Sequence, residues 1–320
     1  MVSPQPKQNT RRFADISVPS VDCPFEPHVA EESDRLAAVV DRWASDTGLV
    51  DADESVCAQT ASPQFVRCVH PNATGVEREF IAKWYCWGFL EDDRRDEGSP
   101  DDLSDAVAAQ QEFVDIATGE SRADEHPPLA RALADLRQEW EMLGTPQWRA
   151  RFTRHHIRYF LAHIWETTNR AKSHVPVRGE YVMETRVAAG LPLVFDMAAL
   201  TSEIDRKSEL YRSRQYQRLL RSAANVVCWT NDLYSLKREL LDGDVNNLVL
   251  VVRVERDCSL QTAVDAVTER ITEETATFSR IADEVETTFT QAGLRDHIKQ
   301  LKRVIAGHMA YSQKTSRYDV

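Results

Sequence analysis

Residues 231–239 read NDLYSLKRE, and in this stretch Asn231, Ser235 and Glu239 follow one another at intervals of four. A helix advances about 100° per residue, so steps of four set the three side chains within an arc of roughly 80°. An amide oxygen, a hydroxyl and a carboxylate then converge on one point. All are hard oxygen donors, which suit Mg²⁺ and suit thiophilic metals poorly. One acid among neutral oxygens leaves room for an anionic ligand to complete the shell. An exposed polar helix face would carry the same spacing, so the triplet alone leaves both readings open.

The chain around this stretch is helical in pattern. Of its 320 residues 42% are hydrophobic, enough for a sizeable core, while Gly (11) and Pro (13) are sparse. Few segments alternate with period two, and long stretches carry apolar residues at helical spacing, so an all-α protein is expected. A formal net charge of −12 argues against nucleic acid or an anionic membrane as the main partner and suits a site that recruits divalent cations. Cys23, Cys57, Cys68, Cys86, Cys228 and Cys258 form no CxxC pair and no zinc spacing. Cys86 and Cys228 lie in apolar helical contexts and read as small buried thiols. With no leader and no apolar run near about 18 residues, a soluble, cytoplasmic protein without a membrane anchor is expected.

Residues 1–28 hold several prolines and little periodicity and read as an irregular arm. A first helix is expected over 29–48, with Leu36, Val39, Val40 and Trp43 on one side. The stretch PNATGVEREFIAKWYCWGFLEDD opens with turn residues and becomes a strongly apolar helix, with Phe80, Trp84 and Trp87 at i, i+4, i+7. Gly98 and Pro100 stop it. Further helices are expected at 103–117, 127–143, 146–171, 179–188, 191–202, 206–241, 246–255, 258–292 and 294–312. Gly190 and Pro192 break the pattern at 179–202, as an inter-helix turn or as a kink that opens backbone groups into a cavity. Nothing between the helices reads as a domain linker, so 29–320 is expected to be one domain.

The apolar helix ends in GFLEDDRRDEGSP, which places Glu91, Asp92, Asp93, Asp96 and Glu97 where the helix dipole already presents negative charge. Arg94 and Arg95 offset part of it. A solvated charge run is one reading. In the other, Asp92 and Asp96 share a face at i, i+4 and await divalent cations. Asp101, Asp102 and Asp105 repeat the spacing but follow Pro100 without an apolar helix before them, and read as N-terminal acids of the next helix. Two oxygen-donor clusters far apart in sequence suggest a shared diphosphate, whose charge the metals neutralise. The apolar helices that carry them imply a greasy cavity, with Phe80, Trp84, Trp87, Phe89, Phe195, Trp229 and Tyr311 as candidate walls. Aromatic faces of this kind suit a carbocation.

These motifs resemble those of the bacterial class I terpene synthases, in order and over residues 20–320. WGFLEDDRRD is similar to the family's aspartate-rich motif, with Asp92, Asp93 and Asp96 in the DDxxD places. NDLYSLKRE matches the NDxxSxx(R/K)E metal motif in full, with Asn231, Ser235 and Glu239 as ligands and Arg238 as the basic partner. Arg317-Tyr318 resembles the RY pair that contacts diphosphate. In PVRGEYVMETRVAAG, Arg186, Ala189 and Gly190 resemble the diphosphate sensor, linker and effector positions. Three departures stand out. The sensor's usual distance from the metal motif falls on Thr185, one residue before Arg186. Tyr311 stands where the family often has Trp, and Glu91 where it usually has an apolar residue. Chain-elongating prenyltransferases share DDxxD but carry a second copy where this chain has NDLYSLKRE.

The resemblance implies a single-domain α-helical bundle around a central apolar cavity. It also implies three Mg²⁺ ions, with Asp92 bridging two and the third at Asn231, Ser235 and Glu239. Arg186, Arg238, Arg317 and Tyr318 would donate to the diphosphate of a prenyl substrate, farnesyl diphosphate first among them. Ionisation and cyclisation to a sesquiterpene would follow, ended by diphosphate or a backbone carbonyl near Gly190 acting as base. Geranyl or geranylgeranyl diphosphate is the alternative substrate within the fold, and a silent helical prenyl-diphosphate binder is the alternative class. A homodimer is the assembly that the resemblance suggests.

Overall fold

Phe80, Ile81, Ala82, Trp84, Tyr85, Cys86 and Trp87 are all buried, so this helix is enclosed on every side and not along one stripe. That pattern belongs to a helix at the middle of a bundle. The protein is described from a computed structural model over residues 16–31, 34–51, 53–97, 103–121, 126–202 and 209–315. Among the described residues every regular element is a helix. In chain order these are α1 (Asp34–Thr47), α2 (Val56–Thr60), α3 (Ser62–Val69), α4 (Gly75–Glu97), α5 (Leu103–Thr118), α6 (Pro128–Met142) and α7 (Pro146–Ala171). They continue with α8 (Arg178–Ala188), α9 (Leu191–Leu200), α10 (Glu209–Arg212), α11 (Arg214–Asp242), α12 (Leu248–Arg256), α13 (Leu260–Thr288) and α14 (Leu294–Ser312).

α11 packs along α13 and α14, α5 along α7, and α14 against α3. The last contact depends on Gly307, where an added Cβ would sit 1.9 Å from the Cys68 carbonyl oxygen. One continuous hydrophobic core runs from Val21 to Tyr311. Residues 16–31 contain no helix and lie against this body, with Ser17 and Gln261 exchanging hydrogen bonds of 3.0 and 2.9 Å.

The expected first helix at 29–48 is found only over Asp34–Thr47, since residues 29–31 carry no helix. Three further departures from the sequence reading have local causes. The expected helix at 206–241 is interrupted at Ser213, which is extended and whose Oγ accepts from Tyr216 N, starting α11 afresh. The expected helix at 258–292 stops at Thr288, because Phe289 turns to extended backbone. α2 and α3, joined through Ala61 at φ 51°, were not expected, being too short to show a helical period. The break before Pro192 is an inter-helix turn. Gly190 adopts φ 67° and opens α9, a conformation that favours glycine.

Candidate active site

α11 turns Val227, Cys228, Asn231, Asp232, Ser235, Arg238 and Glu239 toward one cavity of about 240 Å³. α4 contributes Trp84, Tyr85, Gly88, Phe89, Asp92 and Arg95 to the same cavity. Side chains of α3, α7, α8, α9 and α14 close the remaining sides. The structure therefore brings the two acidic motifs, 145 residues apart between Asp93 and Arg238, into one place.

On α11, Ser235 Oγ lies 2.5 Å from Glu239 Oε1 and 2.7 Å from the Asn231 carbonyl. Asn247 Nδ2 donates to Glu239 Oε2 at 2.8 Å and to the Asp232 carbonyl at 2.7 Å, fixing the carboxylate's orientation. Burial, together with Asp244 and Asp232, pushes the Glu239 carboxyl well above its usual range. Burial likewise pushes Asp232 up to about 7, although Tyr181 Oη donates to it at 2.6 Å. A buried carboxylate among other acids is short of positive charge, which a divalent cation would supply. The motif side chains that share its helix face, Asn231 and Ser235, offer oxygens as ligands. Among the described residues no three His, Cys, Asp or Glu side chains form a metal cluster by themselves. A hard cation that takes further oxygens from an anionic substrate fits this set.

On α4, Arg95 reaches three acids: Asp92 at 2.8 Å, Glu91 at 3.0 Å and Glu166 of α7 at 3.0 Å. Glu91 is only 2% exposed and does not line the cavity. Burial alone would raise its pKa, but Arg95 and His163 hold the carboxyl below the usual carboxylate range. Glu91 thus serves as a buried anchor for Arg95. Asp93 pairs with Arg238 at 3.1 Å and joins the two motif helices directly. Asp96 lies on α4, but its side chain is outside the described residues. Arg317, Tyr318, Asp101 and Asp102 are also outside them, and Asp105 sits in the first turn of α5.

The walls differ in part from the sequence reading. Trp84, Phe89, Ala189 and Tyr311 line the cavity. Phe80 does not: it lies one turn below Trp84 and packs on Phe152, ring centroids 5.9 Å apart. Trp87 turns to Phe113 and donates to the Leu129 carbonyl. On α9 the cavity sees Leu191 and Val194, so Phe195, about 100° further round, faces the core. Trp229 lies under the Arg270 guanidinium, away from the cavity. Arg186 is also absent from the wall. Thr185 occupies it, and Arg186, one residue on, donates to Asn225 Oδ1 at 2.7 Å. The Gly190 carbonyl accepts from Leu193 N and Val194 N, so it serves α9 as a helix cap.

His155, His156 and His163 have protein partners: Asp196 at 2.7 Å, Trp84 Nε1 at 2.9 Å and the Ala188 carbonyl at 3.1 Å. Sequence reasoning missed Phe65, Tyr85, Tyr159, Glu166, Arg170, Asp244, Asn246 and His308, all of which line the cavity. Glu166 and Arg170, at i, i+4 on α7, were the one legible signal among them.

Residues 83–277 match the family model described as terpene synthase family 2, C-terminal metal binding. Pristinol synthase of Streptomyces pristinaespiralis is 28% identical over 98% of this chain and 87% of its own length. (+)-T-muurolol synthase of Roseiflexus castenholzii, a (2E,6E)-farnesyl diphosphate cyclizing enzyme, is 30% identical over 80% of this chain and 79% of its own. (−)-δ-cadinene synthase of Streptomyces clavuligerus is 29% identical over 97% of each chain. The crystal structure of hedycaryol synthase superposes with a TM-score of 0.79, at 20% identity, over 93% of this chain and 99% of that one, a likeness of fold. No helix among the described residues is long and apolar enough to cross a membrane. With the metal-motif residues of α4 and α11 on one aromatic-walled cavity, and the matched region spanning well over half of the sequence, the chain belongs to terpene synthase family 2 and is a class I terpene synthase.

Proposed function

We propose that the chain, with 29–320 as its catalytic domain, converts farnesyl diphosphate to a cyclic sesquiterpene and releases diphosphate. The observation that carries this reading is that Asp92 and the Asn231, Ser235 and Glu239 set open on one cavity that also presents apolar and aromatic side chains, Trp84, Phe89, Val194 and Tyr311 among them. Mg²⁺, three ions in this reading, would be held by Asp92, Asp96 and the α11 set and would supply Lewis-acid stabilisation of the departing diphosphate. Arg95, Arg170 and Arg238 line the cavity beside these acids and can donate charge-assisted hydrogen bonds to diphosphate oxygens. Arg317 and Tyr318 are proposed to join them. Arg186 would act from behind the wall, through Asn225 on α11.

Breaking the C–O bond leaves an allyl cation against Trp84, Tyr85, Phe89, Phe65, Tyr159 and Tyr311, whose faces stabilise positive charge and exclude water. The farnesyl assignment is supported by the Roseiflexus relative, a (2E,6E)-farnesyl diphosphate cyclizing enzyme. Incubating the purified chain with geranyl, farnesyl and geranylgeranyl diphosphates and Mg²⁺, with gas chromatography of the extracts, tests it. Cyclised C15 products in excess over C10 and C20 are expected. Preferential turnover of another chain length would overturn the substrate, and turnover of none would overturn the function.

A further inference from the structure

On α14, two cavity-lining side chains carry a polar atom with no hydrogen-bond partner among the described residues: His308 at Nδ1 and Tyr311 at Oη. His308 is only 8% exposed, and its ring stands edge-on to Phe65 at 6.2 Å. Its neighbours in the wall, Phe65, Tyr85, Phe89 and Tyr311, form one aromatic cluster. The other deeply buried imidazoles lie off the cavity wall: His70 Nε2 meets Tyr85 Oη at 3.0 Å, His156 is held by Trp84 and Phe152, and His163, whose Nδ1 also lacks a hydrogen-bond partner among the described residues, stands 3.5 Å from Glu91 and meets the Ala188 carbonyl through Nε2. Three backbone carbonyls around the α8–α9 turn are engaged as well. Val187 O accepts from Gly190 N, Ala188 O from His163, and Gly190 O from two α9 amides. Buried polar atoms are nearly always satisfied, so a partnerless imidazole in a substrate cavity points to a partner that arrives with the substrate.

We propose that His308 is the base that ends the cation cascade, an assignment that rests on the prenyl diphosphate reading above. The lone pair of the neutral ring takes one proton. That proton comes from the carbon beside the last cationic centre, whose C–H electron pair becomes a new C=C bond, or from a water whose oxygen has bonded to that centre, leaving an alcohol. In both cases the positive charge passes from the hydrocarbon to an imidazolium, which gives the proton up to diphosphate or solvent as the site opens. Burial pushes the His308 pKa down to about 4, so the ring waits in its neutral, basic form.

The test compares the parent with His308→Phe and His308→Gln, incubated with farnesyl diphosphate and Mg²⁺ in ¹⁸O-water, reading diphosphate release, product distribution and melting temperature. Both variants should release diphosphate within about threefold of the parent, while the parent's principal product falls at least about tenfold in share, replaced by products that end at another carbon. Label in the parent's product identifies water as the proton source, and its absence identifies C–H. Retention of the principal product by either variant would overturn the assignment, because a role in shape alone survives one of two differently shaped replacements. Loss of diphosphate release in folded variants would also overturn it, placing His308 at ionisation. A parent that releases no diphosphate from any prenyl diphosphate would overturn the proposed function, and this inference with it.

Discussion

Thr185 and Arg186 are neighbours on α8 with opposite surroundings, one on the cavity wall and the other against Asn225. The motif match points to the arginine, and the helical rotation of about 100° per residue turns it away. Arg186→Gln should therefore keep turnover within about tenfold of the parent, while Arg238→Gln, which removes a cavity donor, should lower it by about 100-fold or more. Steady-state diphosphate release measures both, and the reverse order would restore Arg186 as a direct contact. Asp92→Asn and Asn231→Ala should abolish turnover while leaving the melting temperature near the parent's; undiminished activity in either would remove the metal assignments. Of these residues, those on α11 and Asp92 were legible because a four-residue spacing on one helix fixes a shared face. Tyr159 and His308 were not, because residues on two different helices, α7 and α14, converge only through packing.

Elements were legible where their periodic runs are long. The sequence places α4, α7 and α14 with nearly the observed bounds, whereas α2 and α3 depend on the Ser55 cap and the left-handed Ala61. At the α8–α9 turn, an added Cβ on Gly190 would meet Trp84 Cη2 at 3.3 Å and Tyr159 Cε2 at 3.5 Å, in a backbone conformation already unfavourable for L residues. Gly190→Ala should cost about 1–2 kcal/mol of stability, measured by denaturant unfolding, and should alter the product mixture by moving Trp84. An unchanged midpoint and unchanged products would show that the turn tolerates a side chain.

At the scale of the molecule, buried ionisable groups make stability depend on pH. Burial lowers the pKa of His70 and of His156 to about 3, against an ordinary value of 6.5. Below 6.5 the unfolded chain takes up protons on these rings and the folded chain does not, so the stability they carry is complete above 6.5 and is lost as pH falls toward 3. Asp232 acts the other way, since its penalty fades as pH drops through about 7. A difference measurement separates the two. The stability gap between parent and His156→Gln should narrow by about 2 kcal/mol between about pH 7 and pH 5. A gap independent of pH would mean that His156 titrates normally in the folded chain.

The central claim is that the α4 and α11 oxygen clusters hold one metal-bound diphosphate at the mouth of one cavity. Incubation of the purified chain with farnesyl diphosphate, with Mg²⁺ or with excess EDTA, followed by gas chromatography and a diphosphate assay, addresses it most directly. Cyclised C15 product and matching diphosphate with Mg²⁺, and neither with EDTA, is the predicted result. Equal product formation with and without the chelator, or no product in either, would contradict it.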